Sequence, residues 1–250
     1  MALEYLNDRL PRDNDRLPRD QELRRADAQS HPSRSAIRKS LSTPSEPHSS
    51  TATMDMMAVP ISFNRNEEIY GEGEAADYLY KVASGAVRIY KVLNDGRRQI
   101  GAFYFAGDMF GFEPGDEHAS SAEAIGEVTV LVLKRSAVLA LAARNGDVAR
   151  QLWRITANEL DRSQKHSLLL ILSAQERVTS FLLEMAGRSC ANAELELPMS
   201  RQDIADYLGL TIETVSRTLT QLESAGAIGV LAARRITFRN SGTLNRLRPC

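Results

Sequence analysis

A carboxylate, a hydroxyl and a guanidinium lie within one short stretch near the end of the chain. In TIETVSRTLTQLE, residues 211–223, these groups belong to Glu213, Ser216 and Arg217. Residues three and four positions apart share one face of a helix, so a helix would present all three together. Arginine can bond bidentately to guanine, a carboxylate can accept from the cytosine amino group, and a hydroxyl suits either base edge. The three residues are therefore a candidate base-reading set.

The same spacing has a simpler interpretation. Glu213 and Arg217 could form an i,i+4 ion pair on a solvated helix face, which contributes only about 0.2–0.5 kcal/mol. The helix alone leaves both interpretations open. The neighbouring sequence favours the first, because it predicts the elements that a DNA-reading helix requires.

The sequence around this stretch predicts a helix, a tight turn and a second helix. Ser200 and Asp203 have the spacing of a capping box at the first helix. Gly209 supplies the turn, and Thr211 can cap the second helix. The expected inner faces are apolar, formed by Ile204, Ala205 and Leu208 in the first helix and by Ile212, Val215, Leu219 and Leu222 in the second.

Basic residues flank the two helices. IGVLAARRITFRN predicts two short strands around a basic turn, which is the wing of a winged helix. Side chains at the wing and at the helix starts could bond to phosphates, which position a protein on a duplex. The expected phosphate contacts are Arg201, Thr211, Thr214, Arg234 and Arg235.

Short alternating runs and frequent glycines mark the middle of the chain, from Ile69 to Leu133. Runs such as YLYKV, AVRIYKV, QIGAFYF and EVTVLVL have the period of strands. Ser84-Gly85 and Asn94-Asp95-Gly96 lie between runs as turn signals. Closely spaced short strands predict a β-roll of the barrel or jelly-roll kind.

A long helical pattern follows the strands. Steps of three and four residues connect Val148, Leu152, Ile155 and, further on, Leu169, with polar residues between. This stripe is a candidate dimer seam. Periodicity alone does not separate a seam from a helix packed on its own domain.

The predicted fold class is α+β, with four segments. Residues 1–53 form an accessory or disordered arm that is rich in Ser, Pro and Arg and contains NDRLPRD twice. Residues 54–146 form the β-roll, residues 147–173 the long helix, and residues 174–250 the winged helix-turn-helix domain.

Composition excludes several classes of protein. The chain is 43% apolar and 25% charged with a net charge of -1, which is typical of a soluble globular protein. Two cysteines, Cys190 and Cys250, are too few for a disulfide framework or a four-cysteine zinc site. The start lacks the apolar run of a signal peptide and no run is long enough to span a membrane, so we expect a cytoplasmic protein.

The sequence lacks the motifs of common enzymes. We find no Gly-x-Ser-x-Gly elbow, no phosphate-binding glycine loop ending in Lys-Ser or Lys-Thr, and no metal spacing among the four histidines. We expect no catalytic site, cofactor or metal. The remaining alternative is a ligand-sensing β-roll whose C-terminal domain binds protein, which would require exposed apolar anchors in place of the polar trio.

The order β-roll, long helix, then SRQDIADYLGLTIETVSRTLTQLESAGAI resembles the CRP/FNR superfamily of bacterial transcription regulators. The catabolite activator protein, a member, is a standard example of helix-turn-helix docking. The resemblance covers about Phe63 to Phe238. The pattern Glu-x-x-Ser-Arg resembles the FNR and FixK branch, which implies a homodimer on a palindromic TTGA-type site of double-stranded DNA.

Two departures narrow the resemblance to the FixK type, usually an activator of genes for low-oxygen respiration and nitrogen fixation. Residues 1–189 contain no cysteine, so the iron-sulfur sensor of the FNR type is absent. No arginine lies between Gln99 and Lys134, where nucleotide-binding members hold the phosphate, so we do not expect cAMP binding.

The resemblance also implies a contact with RNA polymerase. In the family, a loop of the β-roll makes this contact, and it corresponds here to Leu93, Asn94, Asp95, Gly96 and Arg97. The same residues also fit a plain hairpin turn.

Cys190 is a candidate redox switch. Arg188 lies two residues away and could lower the pKa of the thiol, which favours oxidation. A sulfinate at this position would add negative charge near DNA phosphates. An inert thiol is the alternative.

Overall fold

The computed structural model describes residues 54–188 and 194–239. The first part is built of eight strands, as the alternating runs predict. These are β1 (Val59–Phe63), β2 (Glu68–Tyr70), β3 (Tyr78–Ser84), β4 (Ala86–Val92), β5 (Arg98–Phe105), β6 (Met109–Phe110), β7 (Ser121–Ala124) and β8 (Val128–Lys134).

The eight strands form two antiparallel sheets. One has the order β1-β8-β3-β6 and the other the order β2-β7-β4-β5. Every second residue of β8 points inward, so Val128 and Val130 are buried. They pack with Val82, Val87 and other apolar side chains between the sheets. The predicted β-roll is confirmed.

Gly85 makes the turn between β3 and β4. Its φ is 86°, in the left-handed region, and a Cβ there would lie 2.4 Å from the carbonyl oxygen of Glu127. Any side chain at this position would therefore meet both backbone strain and a backbone clash. The sequence signal Ser84-Gly85 correctly marks the hairpin.

Five helices and a small sheet follow. The helices are α1 (Arg135–Arg144), α2 (Gly146–Leu169), α3 (Ala174–Arg188), α4 (Arg201–Leu208) and α5 (Ile212–Ser224). The sheet has the order β10-β11-β9, with β9 (Glu194–Glu196), β10 (Ile228–Ala232) and β11 (Arg235–Phe238). Asn145 caps α2, because its side-chain oxygen accepts from the backbone N–H groups of Asp147 and Val148.

The four residues predicted as a dimer seam are buried to different degrees. Val148 is fully buried, and Leu152 and Ile155 pack on a cluster that includes Leu79, Met109 and Leu133. Leu169 is buried in the C-terminal core. Leu152 and Ile155 remain partly exposed, so contact of this stripe with a second chain stays a prediction. The predicted helical period is confirmed, and part of the stripe packs on the β-roll.

One apolar core joins the β-roll to the C-terminal helices. Ala86, Ile100 and Phe103 of the β-roll pack in the same cluster as Phe181 of α3 and Tyr207 of α4. The aromatic rings of Phe103 and Tyr207 lie 5.2 Å apart. Within the described part of the chain, helices α3 and α4 are thus packed directly on the strands.

Some predictions fall outside the described residues. The N-terminal arm, Cys190 and Cys250 all lie there, so the redox hypothesis stays a prediction. Among the helices of residues 54–188 and 194–239, none is long and apolar enough to cross a membrane.

Candidate nucleic-acid interface

The helix pair begins with a complete capping box. The Ser200 hydroxyl accepts from the Asp203 backbone N–H at 3.1 Å, and an Asp203 carboxylate oxygen accepts from the Ser200 backbone N–H at 2.9 Å. The box satisfies amide groups at the start of α4 that have no partner within the helix. The predicted box is confirmed, and it fixes where α4 begins.

Gly209 ends α4 and makes the turn into α5. Its φ of 61° and ψ of 40° are left-handed. A Cβ at this position would meet its nearest neighbours at 3.6 Å, which is an ordinary contact. Glycine is therefore favoured by backbone conformation rather than by lack of space. After the turn, Thr211 caps α5 by accepting from the Thr214 N–H.

Helix α5 buries one face and exposes the other. Val215, Thr218, Leu219 and Leu222 are buried. Ile212, predicted to belong to this inner stripe, is 37% exposed, because it lies at the helix start beyond the packed face.

The predicted trio lies on the outward face of α5. Glu213 and Arg217 are exposed, and Ser216 is partly exposed. Hydrogen bonds from its own N–H and from Thr211, with the charge of Arg217, lower the pKa of Glu213. At neutral pH the face therefore carries a carboxylate and a guanidinium one helical turn apart.

Arg201 links the two helices of the pair. Its guanidinium donates to the Ser216 hydroxyl at 3.4 Å. The Ser216 carbonyl accepts from the Thr220 hydroxyl at 3.1 Å. Arg201, predicted as a phosphate contact, thus lies directly beside the central residue of the trio.

Strands β10 and β11 form the predicted wing. The Arg234 carbonyl accepts from the Leu197 N–H at 2.8 Å, which ties the wing turn to the segment after β9. The Arg235 guanidinium is paired with Glu194 of β9 at 2.7 Å. Both arginines lie at the turn, but Arg235 has a carboxylate partner that the sequence did not indicate.

A buried ion-pair network lies behind the helix pair. Arg88 and Arg98 of the β-roll both bond to Asp203, and Arg98 also bonds to Asp206. The sequence predicts only a capping role for Asp203. A signal was present in AVRIYKV, where Arg88 stands among apolar residues of a strand, but its partner lies 115 residues away.

Comparison with known proteins places these domains. The profile of the Crp-like helix-turn-helix domain matches residues 176–247, and that of the cyclic nucleotide-binding domain matches residues 60–145. The nitrogen fixation regulation protein FixK of Azorhizobium caulinodans is 50% identical over 197 residues, which are 76% of this chain and 79% of that protein. FixK of Rhizobium meliloti is 41% identical, over 80% of this chain and 92% of its own.

A solved structure agrees with the sequence relatives. FixK2 from Bradyrhizobium japonicum superposes with a TM-score of 0.74 and 50% identity, over 77% of this chain and 98% of its own. The chain belongs to the FixK branch of the CRP/FNR family. This FixK-type protein is a transcription regulator with a helix-turn-helix DNA-binding domain rather than an enzyme, as its sequence predicts.

The β-roll interior of this FixK-type regulator is packed with rings. His118, from the loop between β6 and β7, stacks on Tyr70 with ring centroids 3.6 Å apart. Tyr80 and Phe110 stack at 5.2 Å. The loop that would hold a nucleotide phosphate carries no arginine. The loop itself therefore supplies no guanidinium for a phosphate, although Arg135 of α1 donates to its carbonyl oxygens at Glu113 and Gly115.

The hairpin between β4 and β5 projects from the β-roll of this FixK-type regulator. Residues 93–97 are all exposed. Asp95 accepts from both the backbone N–H and the side-chain Nε of Arg97, at 3.0 and 2.7 Å. The turn is thus braced by its own hydrogen bonds.

Proposed function

We propose that this regulator binds a palindromic TTGA-type DNA site as a homodimer and activates genes of low-oxygen respiration or nitrogen fixation. The observation that carries the proposal is the outward face of α5, where Glu213, Ser216 and Arg217 are brought together. The spacing suits direct readout in the major groove, with Arg217 on guanine, Glu213 on the cytosine amino group and Ser216 beside them. The FixK relatives support the gene class.

The homodimer is supported by a second face of α2. Trp153 is 77% exposed, Leu160 60% and Leu168 64%. Spacings of seven and eight residues place them on one side of the helix, opposite the side that packs on the β-roll. An exposed apolar stripe of this kind marks an association surface. We assign the dimer seam to these residues, and a two-fold axis there would present two α5 helices to successive major grooves.

Phosphate contacts would position the dimer on DNA. We assign these contacts to Arg201, Thr211, Thr214, Arg234 and Arg235. Thr211 and Thr214 lie at the N-terminus of α5, where backbone N–H groups also attract phosphate. Arg235 would exchange its bond to Glu194 for one to the duplex. The exposed hairpin of residues 93–97 is the proposed contact with RNA polymerase.

The test is a titration of duplex DNA. We expect a symmetric TTGA-type duplex to bind at least about 10³-fold more tightly than a scrambled duplex at the same salt concentration. The size of the complex should correspond to two chains on one duplex. Equal affinity for both duplexes, or one chain per site, would contradict the proposal.

A further inference from the structure

The DNA-reading helix pair is attached to the β-roll by two arginines. Arg88 on β4 donates to one oxygen of Asp203 at 3.0 Å, and Arg98 on β5 donates to the same oxygen at 2.6 Å. Arg98 also donates through Nε to Asp206 at 2.8 Å. Both carboxylates belong to α4, so the first helix of the pair has three charged bonds to the sheet.

Asp203 combines two roles in a single carboxylate. Its second oxygen accepts from the Ser200 backbone N–H and hydroxyl, at 2.9 and 2.7 Å. Burial alone would raise the pKa of Asp203, but the bonds from Ser200 and the charges of Arg88 and Arg98 outweigh burial and lower it. One ionised group therefore sets both the start of α4 and its place against the sheet.

Arg88 is also fixed by partners within the β-roll. It is 7% exposed and donates to Glu123 on β7 at 2.6 Å and to Asn66 at 3.1 Å. A buried guanidinium with fixed partners cannot follow a moving helix, and a buried charge that loses its partner is costly. The β-roll thus holds the Arg88 guanidinium in a fixed position against α4.

Apolar contacts and further hydrogen bonds surround this network. Tyr207 of α4 packs on Phe103 of β5 and stacks on His166 of α2 with ring centroids 4.1 Å apart. The Tyr207 carbonyl is 2.8 Å from the His166 Nε2. Helix α4 is consequently fixed from the sheet on one side and from α2 on the other.

We propose that Arg88 and Arg98 are positioning residues that set the orientation of the recognition helix and thereby the half-site spacing that the dimer accepts. The inference rests on the proposed dimeric DNA binding. Helix α4 packs on α5, so a rotation of α4 against the sheet displaces Glu213 and Arg217. A dimer reads two half-sites about one DNA turn apart, so this displacement alters the match to a fixed spacing.

The experiment measures spacing preference. The full chain is titrated against three duplexes: the symmetric TTGA-type site, and the same site with one base pair inserted or removed at its centre. We expect Arg98→Ala to weaken binding to the native spacing by about tenfold, the range of coupled contacts, while affinity for the altered spacings changes little. The ratio between spacings should therefore fall.

The matched control is Lys91→Ala. Lys91 lies on the same strand as Arg88 and pairs with Glu72 at 2.8 Å, on the solvent-exposed surface. This variant should keep the wild-type spacing ratio. Arg98→Lys, which retains a charge but has no forked donor, should lie between Arg98→Ala and wild type.

A second variant tests the same contact from the α4 side, in case Arg98→Ala does not fold. Asp206→Asn removes one charge at the same contact and leaves the Ser200 cap intact, and it should lower the ratio in the same direction. Amide hydrogen exchange over residues 200–208 should accelerate in both variants relative to Lys91→Ala.

Two outcomes separate this inference from the proposed function. If wild type does not prefer the symmetric site, the proposed function fails. If wild type prefers it and folded Arg98→Ala and Asp206→Asn keep the wild-type spacing ratio, whatever their exchange rates, the positioning role is overturned and the proposed function stands.

Discussion

At the scale of single residues, we expect Glu213 and Arg217 of α5 to read bases and Arg201 of α4 to contact phosphate. Glu213 and Arg217 extend into solvent from a helix whose other face is buried, so their bonding groups are open to a duplex. Arg201 lies behind them, bonded to Ser216. Substitutions at these positions should therefore have distinguishable effects on DNA binding.

Arg217→Ala should reduce discrimination at the guanine that Arg217 reads. The expected loss is about 1–3 kcal/mol for the specific site, with little change for random DNA, because a base-edge contact is removed. Competition titrations with site variants measure it. Arg201→Ala is the comparison: it should weaken all sequences similarly and reduce the salt slope by about 1. Equal losses on specific and random DNA from Arg217→Ala would contradict base reading.

The exposed polar face of α5 and the capping box of α4 can be predicted from the sequence. The long-range contacts of these helices cannot. The trio and the capping box follow from helical spacing and local hydrogen-bond chemistry, which act within a few positions. The bond from Arg88 to Asp203 depends on how a strand and a helix 115 residues apart meet. A single sequence contains no periodic signal for such a contact.

At the scale of elements, periodicity predicted the helix but not its direction of packing. In α2, Val148, Leu152 and Ile155 form the more regular apolar stripe, and this stripe contacts the β-roll. Trp153, Leu160 and Leu168 are spaced by seven and eight residues, so they were less evident as a face. A helix with two apolar sides has no sequence feature that says which side faces its own domain.

The turn between α4 and α5 allows a test of backbone geometry. Gly209→Ala should lower the free energy of unfolding by about 1–2 kcal/mol, because alanine is strained at a φ of 61° even where space is sufficient. Thermal or denaturant unfolding measures the change. Gly187→Ala in the last turn of α3 is the opposite control, since a helical glycine with open space around it should gain stability, by at most about 0.5 kcal/mol so near the helix end. A neutral Gly209→Ala would refute the assigned strain.

At the scale of the whole molecule, we expect the proposed seam on α2, formed by Trp153, Leu160 and Leu168, to determine assembly. Leu160→Glu should shift the protein towards a monomer and abolish high-affinity binding to the symmetric duplex, because a charge would be buried at the proposed seam. Sedimentation or light scattering reports the change in mass. Leu139→Glu provides the control, as Leu139 on α1 is 55% exposed and lies outside the stripe. A Leu160→Glu protein that remains dimeric would exclude this seam.

The shared core of strands and reading helices also bears on the retargeting of promoters. Exchanging helices α4 and α5 between relatives is an obvious way to give a regulator new genes to control. In this protein, the transplanted helices would have to pack on a sheet that presents Arg88, Arg98 and the ring of Phe103 in a fixed arrangement. Helices without counterparts of Asp203, Asp206 and Tyr207 would pack in a different orientation. A working chimera must therefore include strands β4 and β5 together with the exchanged helices.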